Sequence, residues 1–183
     1  MINSTSLLGT IITNDLKWDE NTSSIVRKAN ARMQLLRKVA SFGTSAAELK
    51  LIYILFVRSQ LEYSSTVWHS SLTEENKTDL ERVQKTATKI ILGERYRNYE
   101  QALTELDLEN LNERRENLCL RFALKSSQHE KTSNMFPLNS KCHKIKTRKP
   151  DKFKVQFAKT GRLKKSSLIY MQNVLNENEK KFL

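Results

Sequence analysis

Residues Leu49–Trp68, LKLIYILFVRSQLEYSSTVW, hold the densest apolar run of the chain, and their apolar positions recur at helical spacing. Leu49, Ile52, Tyr53, Phe56, Gln60 and Tyr63 share one side, while Leu51, Ile54, Leu55 and Leu61 add apolar surface elsewhere. A helix apolar over so much of its circumference belongs among other helices, at the centre of a bundle. Ser45, with Glu48 three residues later, predicts a capping box at its start. Arg58 and Glu62, four apart, predict a structural ion pair along its surface, and Trp18 and Trp68 read as core anchors.

The rest of the chain supports a helical class. Four Gly and two Pro among 183 residues leave little turn material for a many-stranded sheet. An apolar content of 38% is low for a single compact domain, so part of the chain is expected to be solvated tail or linker. No apolar run reaches the roughly 20 residues of a membrane span. The N-terminus has neither the basic start nor the apolar centre of a signal peptide. These features predict a nuclear or cytoplasmic protein, neither secreted nor in a membrane, with Cys119 and Cys142 as free thiols.

Four stretches emerge in order. Residues 1–18 contain one strand, Ser6–Thr13, followed by the turn signal Asn14-Asp15 and by Trp18. No second strand is legible to pair with it. Residues 19–128 read as a helical bundle: a helix from Asp19 or Asn21 to about Ser41, the central run, and a helix from Thr73 to Gly93. A short helix at Tyr99–Leu106 and a longer one from about Asn110 to Ser127 follow. The first presents Ile25, Ala29, Met33, Leu36, Val39 and Ala40; the third presents Leu80, Val83, Ala87, Ile90 and Ile91. Leu111, Leu118, Cys119 and Phe122 suggest the packed face of the last. Residues 129–165 form a basic linker, and 166–183 carry a final helix with Leu168, Met171 and Leu175.

Charge points to the partner. The chain carries a net +12, and eleven cations stand between Lys141 and Lys165 against Asp151 alone. Such an excess suits a polyanion. Candidate phosphate contacts are Arg27, Lys28 and Arg32 on the first helix, Arg82, Lys85 and Lys89 on the third, and Lys144, Lys146, Arg148 and Lys149 in the linker. Taken alone, the helical residues read first as solvated faces. Phe153 and Phe157 would stack on bases or dock their segment on the core. Signs of catalysis are missing: the glycines stand alone at 9, 43, 93 and 161, the histidines are dispersed, and no carboxylates cluster as Mg²⁺ ligands do. The residues therefore predict no active site, metal or cofactor in this chain.

A series of short motifs, in order, resembles the C-terminal (thumb and post-thumb) region of a non-LTR (LINE-type, jockey-like) retrotransposon reverse transcriptase. Leu8-Gly9 with Asn14–Trp18 resembles the strand and turn that leave the catalytic palm. Arg58, Leu61-Glu62-Tyr63 and Val67-Trp68-His69 resemble the family's thumb helix, and Leu80–Lys85 with Ile90–Gly93 resembles the next. Ala102-Leu103, Arg114-Arg115, Leu118-Cys119, Met135-Phe136-Pro137 and Tyr170-Met171-Gln172 continue the series. Ser59 and Thr66 stand where the family often has proline, and Leu168-Ile169 where it usually has Ile-Pro.

The resemblance implies a mainly α polymerase-thumb bundle with one leftover N-terminal strand and a basic, partly extended C-terminal segment. It implies binding of an RNA template/cDNA duplex without sequence preference, a palm domain of the parent polymerase as second partner, and primer positioning by Leu8 and Gly9. The palm aspartates and their Mg²⁺ would lie upstream of Met1, so this chain would not polymerise alone. Two other readings stay open: an inactive transposon relic, and a stand-alone basic helical interaction protein.

Overall fold

The computed structural model describes residues 3–142 and 150–178, and these are mainly helical. The chain starts with a hairpin rather than a single strand. β1 (Ser4–Leu7) pairs antiparallel with β2 (Thr10–Thr13), Ser4 opposite Thr13 and Leu7 opposite Thr10. Leu8 and Gly9 form the two-residue turn, with φ of 48° and 82°. Positive φ at both positions gives a turn whose twist matches that of the strands it joins. The expected single strand, Ser6–Thr13, is thus divided by its own Leu-Gly turn, and its first half pairs with its second.

α1 (Asp19–Ala40) follows, with Asp19 and Glu20 in its first turn and Arg37 and Lys38 in its last, each sign favourable to the helix dipole. Ile25, Ala29, Met33 and Leu36 are buried along one side. Trp18 sits just before the helix and is half-buried, not the core anchor its size suggested. The backbone N–H of Ile11 donates to Asn21 Oδ1 at 3.0 Å, which ties the hairpin to the first turn of α1.

The central run is helical but not uniform. α2 (Ala46–Ile52) begins with the expected capping box of Ser45 and Glu48. A π-helical segment, Tyr53–Arg58, comes next, then α3 (Ser59–Glu62). Ser64, at φ 53°, interrupts the helix before α4 (Ser65–Trp68). The buried residues are Leu49, Tyr53, Val57 and Leu61, each four after the last. In an α-helix, residues four apart drift by about 40° around the axis. The wider π turn offsets that drift and keeps the four in line. Phe56 and Tyr63, expected inside, are 49% and 48% exposed, and Leu61 is fully buried instead.

α5 (Glu74–Leu92) is capped by Thr73, whose Oγ1 accepts from Asn76 N. Its buried face runs through Leu80, Val83, Gln84, Ala87, Thr88 and Ile91, and it packs along α1. α6 (Tyr99–Glu105), α7 (Leu111–Gln128), α8 (Asn139–Cys142), α9 (Gly161–Lys164) and α10 (Ser167–Glu177) complete the α-helices among the described residues.

The chain divides into two compact units. The first, Met1–Ser65 with Leu72–Arg114, holds the hairpin and the bundle of α1, α2, the π-helical segment, α3, α5 and α6. The second, Thr66–Ser71 with Arg115–Leu183, has its own core of Ala123, Phe136, Met171 and Leu175, with Leu120, Leu124, Phe153 and Leu168 packed against it. Division therefore falls inside α7, at Arg114/Arg115, rather than at its end. The basic stretch read as a linker contributes Phe136, Phe153 and Ala158 to folded structure. Phe122 is 49% exposed, and the faces of α7 that carry Cys119 and Ala123 are buried instead.

Leu61→Ala should cost about 2–5 kcal/mol of stability in urea unfolding, as full core truncations do. Phe56→Ala, at a half-exposed ring, should cost clearly less; equal losses would contradict the π-shifted register.

Candidate nucleic-acid interface

The face of α5 opposite the core carries Arg82, Lys85 and Lys89, all exposed. Spacings of three and four put them on one side of a helix. They line a groove of about 480 Å³ together with Thr78, Glu81 and Tyr99. Lys85 Nζ lies 6.0 Å from the centre of the Tyr99 ring, and Lys89 Nζ lies 5.5 Å from that of Tyr96. Both distances suit attraction between ammonium and ring face. Arg82 meets Asp79 at 2.8 Å with both side chains well exposed, a pair weak enough in water for another anion to displace.

A buried polar chain supports the groove from below. The Tyr53 hydroxyl donates to Gln84 Oε1 at 2.5 Å, and Gln84 itself is fully buried. Gln84 Nε2 donates to the Tyr99 hydroxyl and to the Glu109 carbonyl, both at 2.9 Å. The Tyr99 hydroxyl donates in turn to the Glu81 carboxylate, which also accepts the Leu111 backbone N–H at 3.0 Å. Glu81, which also lines the groove, is thereby committed to the start of α7, where an anion is favoured by the helix dipole. Burial holds the Tyr53 phenol well above its ordinary value, with Arg58 partly opposing. Burial also raises the Tyr99 phenol, and its hydrogen bond to Glu81 adds to the shift.

The Arg58–Glu62 pair is present at 3.6 Å and belongs to a larger cluster. Arg114 Nε donates to the same Glu62 carboxylate, and Arg114 lies 3.9 Å from Glu109. Burial, with Arg114 close by, draws Arg58 below its ordinary value, and Glu62 opposes. The Tyr63 hydroxyl donates to the Leu8 carbonyl at 2.6 Å, and its ring passes close to Gly9. This exposed tyrosine therefore holds the turn of the hairpin.

The six helical cations do not form one site. Arg82, Lys85 and Lys89 share the groove, whereas Arg32 Nη1 donates to the Phe56 carbonyl in the π segment at 2.6 Å. Arg27 and Lys28 are exposed elsewhere on α1. Lys144, Lys146, Arg148 and Lys149 lie outside the described residues. Within the second unit, Trp68 is fully buried with the Arg115 guanidinium 5.9 Å from its ring, and that arginine is buried too. Tyr96, Tyr99, Gln84 and Arg114 were not singled out as site residues from sequence. Gln84 has a signal, a polar side chain on the apolar stripe of α5; Tyr99 joins the groove, and Tyr96 meets Lys89, only through folding. Among the described residues no group of three His, Cys, Asp or Glu side chains is arranged to hold a metal ion, and no helix is long and apolar enough to cross a membrane. No protein-family model, curated protein or solved structure matches this chain.

Gln84→Leu should lower stability by about 1–3 kcal/mol, because the buried Tyr53 hydroxyl loses its acceptor; Tyr53→Phe in the same background should recover part of it in urea melts. Burial also raises the Tyr170 phenol and pushes the Cys119 thiol up to about 12. With Tyr53 and Tyr99, these groups keep protons in the folded chain that the unfolded chain releases. Their stabilisation is complete below the ordinary thiol and phenol values of 9.0 and 10.0 and lost as pH rises past them. Thermal melts should therefore show Tm steady up to about pH 9 and falling above it.

Proposed function

We propose that this chain is the thumb-like part of a retrotransposon reverse transcriptase and binds an RNA/DNA duplex through its backbone. The observation that supports this best is the α5 groove. Three cations stand on one rigid helix face, and two tyrosines set the lysine head groups. From Arg82 to Lys89 the helix rises roughly 10 Å, a length over which one strand presents about three phosphates. The side chains there offer charge rather than a base-reading set of amides, so affinity is electrostatic and indifferent to sequence. A heteroduplex of RNA and DNA is A-like and suits such shape and backbone contacts.

In the same reading, the hairpin is the segment that enters from the palm. Its Leu8–Gly9 turn is held by Tyr63 near the end of the central helical run, a placement compatible with positioning a primer end. The Arg58–Glu62–Arg114 cluster then serves as structural support for that run. The palm supplies the metal chemistry, and this chain supplies grip.

The test is duplex affinity across a salt series. Neutralisation of five or six phosphates gives a slope of log K against log salt of about −4.5 to −5.5. Replacing Arg82, Lys85 and Lys89 together by Ala should make that slope shallower by about 2.7 and weaken all duplex sequences alike. An unchanged slope in the triple variant would remove α5 from the interface, and absence of duplex binding at low salt would end the proposal.

A further inference from the structure

The second unit holds a different kind of surface. Residues 154–158 have no regular structure, yet their backbone is anchored closely. Asn176 accepts from Phe153 N at 2.8 Å and donates to Phe153 O at 2.9 Å. Lys154 N donates to the Pro137 carbonyl at 2.7 Å, and Gln156 N donates to Gln172 Oε1 at 2.9 Å. Phe153 turns inward and meets Phe136 edge to face, and Ala158 is buried. Phe157, between the anchored Gln156 and Ala158, is 82% exposed. A fixed backbone thus presents a large aromatic ring to water.

The surroundings specify what such a ring would meet. Phe157 borders a groove of about 580 Å³ lined also by Gln156, Lys159, Lys164 and Asn173. From Lys152 to Asn176 the chain carries six cations and no carboxylate. Ser70 and Ser71 donate their hydroxyls to the Lys165 carbonyl at 2.7 and 2.6 Å, which secures the corner after α9 and with it Lys164. A flat apolar face, cations on either side and amides at the edge match an unpaired base with its flanking phosphates. Bases within a duplex are already stacked on both faces and gain nothing from the ring. A bilayer surface would favour a continuous apolar bulge, whereas this one is concave, and its apolar lining of Val155, Ala158 and Ile169 is interrupted by Gln156 and Asn173.

We propose that Phe157, flanked by Lys159 and Lys164, is a stacking platform for a single-stranded stretch of nucleic acid. The site stands in a different unit from the α5 groove and is independent of it.

The experiment uses the full chain and four probes: a fluorescent oligothymidylate of about ten nucleotides, its abasic counterpart, an RNA/DNA duplex of equal length, and phosphatidylserine vesicles. Phe157→Ala should weaken the oligothymidylate about 5- to 150-fold, the range of one lost base stack, and leave the duplex unchanged. Phe157→Trp should retain the affinity, and wild type should bind the abasic strand about as weakly as the alanine variant binds the normal one. Equal oligothymidylate affinity for wild type and Phe157→Ala overturns the proposal, as does wild type that does not distinguish the abasic strand. A Phe157→Ala loss confined to phosphatidylserine vesicles would also overturn it and assign the ring to a lipid surface. Absence of duplex binding would count against the α5 reading and not against this one.

Discussion

The first unit depends on one buried side chain, Gln84. It lies on the core side of α5, at a position where an aliphatic residue would satisfy the hydrophobic pattern. Its amide instead links Tyr53 of the central run, Tyr99 of α6 and the carbonyl of Glu109 just before α7. A buried amide is expensive without partners and specifying with them. Three separate segments are thus set around α5 by the geometry of a single group. Glu81, one turn earlier, extends the same chain to the first backbone N–H of α7. The groove above is a consequence: Tyr99 stands beside Lys85 because its hydroxyl is committed below.

The π segment solves a related problem. The central run is apolar nearly all round, so several faces competed for the core. Inserting a wide turn at Tyr53–Arg58 lines up Leu49, Tyr53, Val57 and Leu61 and puts Leu55 and Phe56 outside. It also places Tyr53, rather than a neighbour, against Gln84. Arg32 donates to the Phe56 carbonyl inside the segment, so a cation that reads as a phosphate contact also supports an irregular backbone.

The two units divide the positive charge by architecture. In the first, Arg82, Lys85 and Lys89 sit on a regular helix at fixed spacing, backed by a close-packed bundle. In the second, side-chain amides of Gln172 and Asn176 hold an irregular segment by its backbone. That arrangement leaves side chains such as Phe157 free of structural duty.

Helical class, the extents of α1 and α5 and the Ser45–Glu48 cap were legible in the residues, because apolar periodicity and capping are local properties. The Arg58–Glu62 pair was legible for the same reason, being four apart on one helix. So was the basic stripe Arg82, Lys85, Lys89. Ser6–Thr13 looks like one strand in the sequence because its turn, Leu8–Gly9, requires positive φ at a leucine, which composition does not announce. A wheel of 3.6 residues puts Phe56 and Tyr63 inside because it assumes a uniform helix, and the π turn breaks that assumption. Tyr96, Tyr99 and Arg114 join their clusters through contacts 7 to 52 residues away in the chain. Phe153 and Phe157, alike in sequence, part company for a similar reason: Asn176, 23 positions from Phe153, fixes which ring turns in. Sequence alone determined where helices form and where charge accumulates, since both are set by neighbours along the chain. Only the tertiary structure decided which faces are buried and which cations share a groove, because those depend on partners that folding brings together.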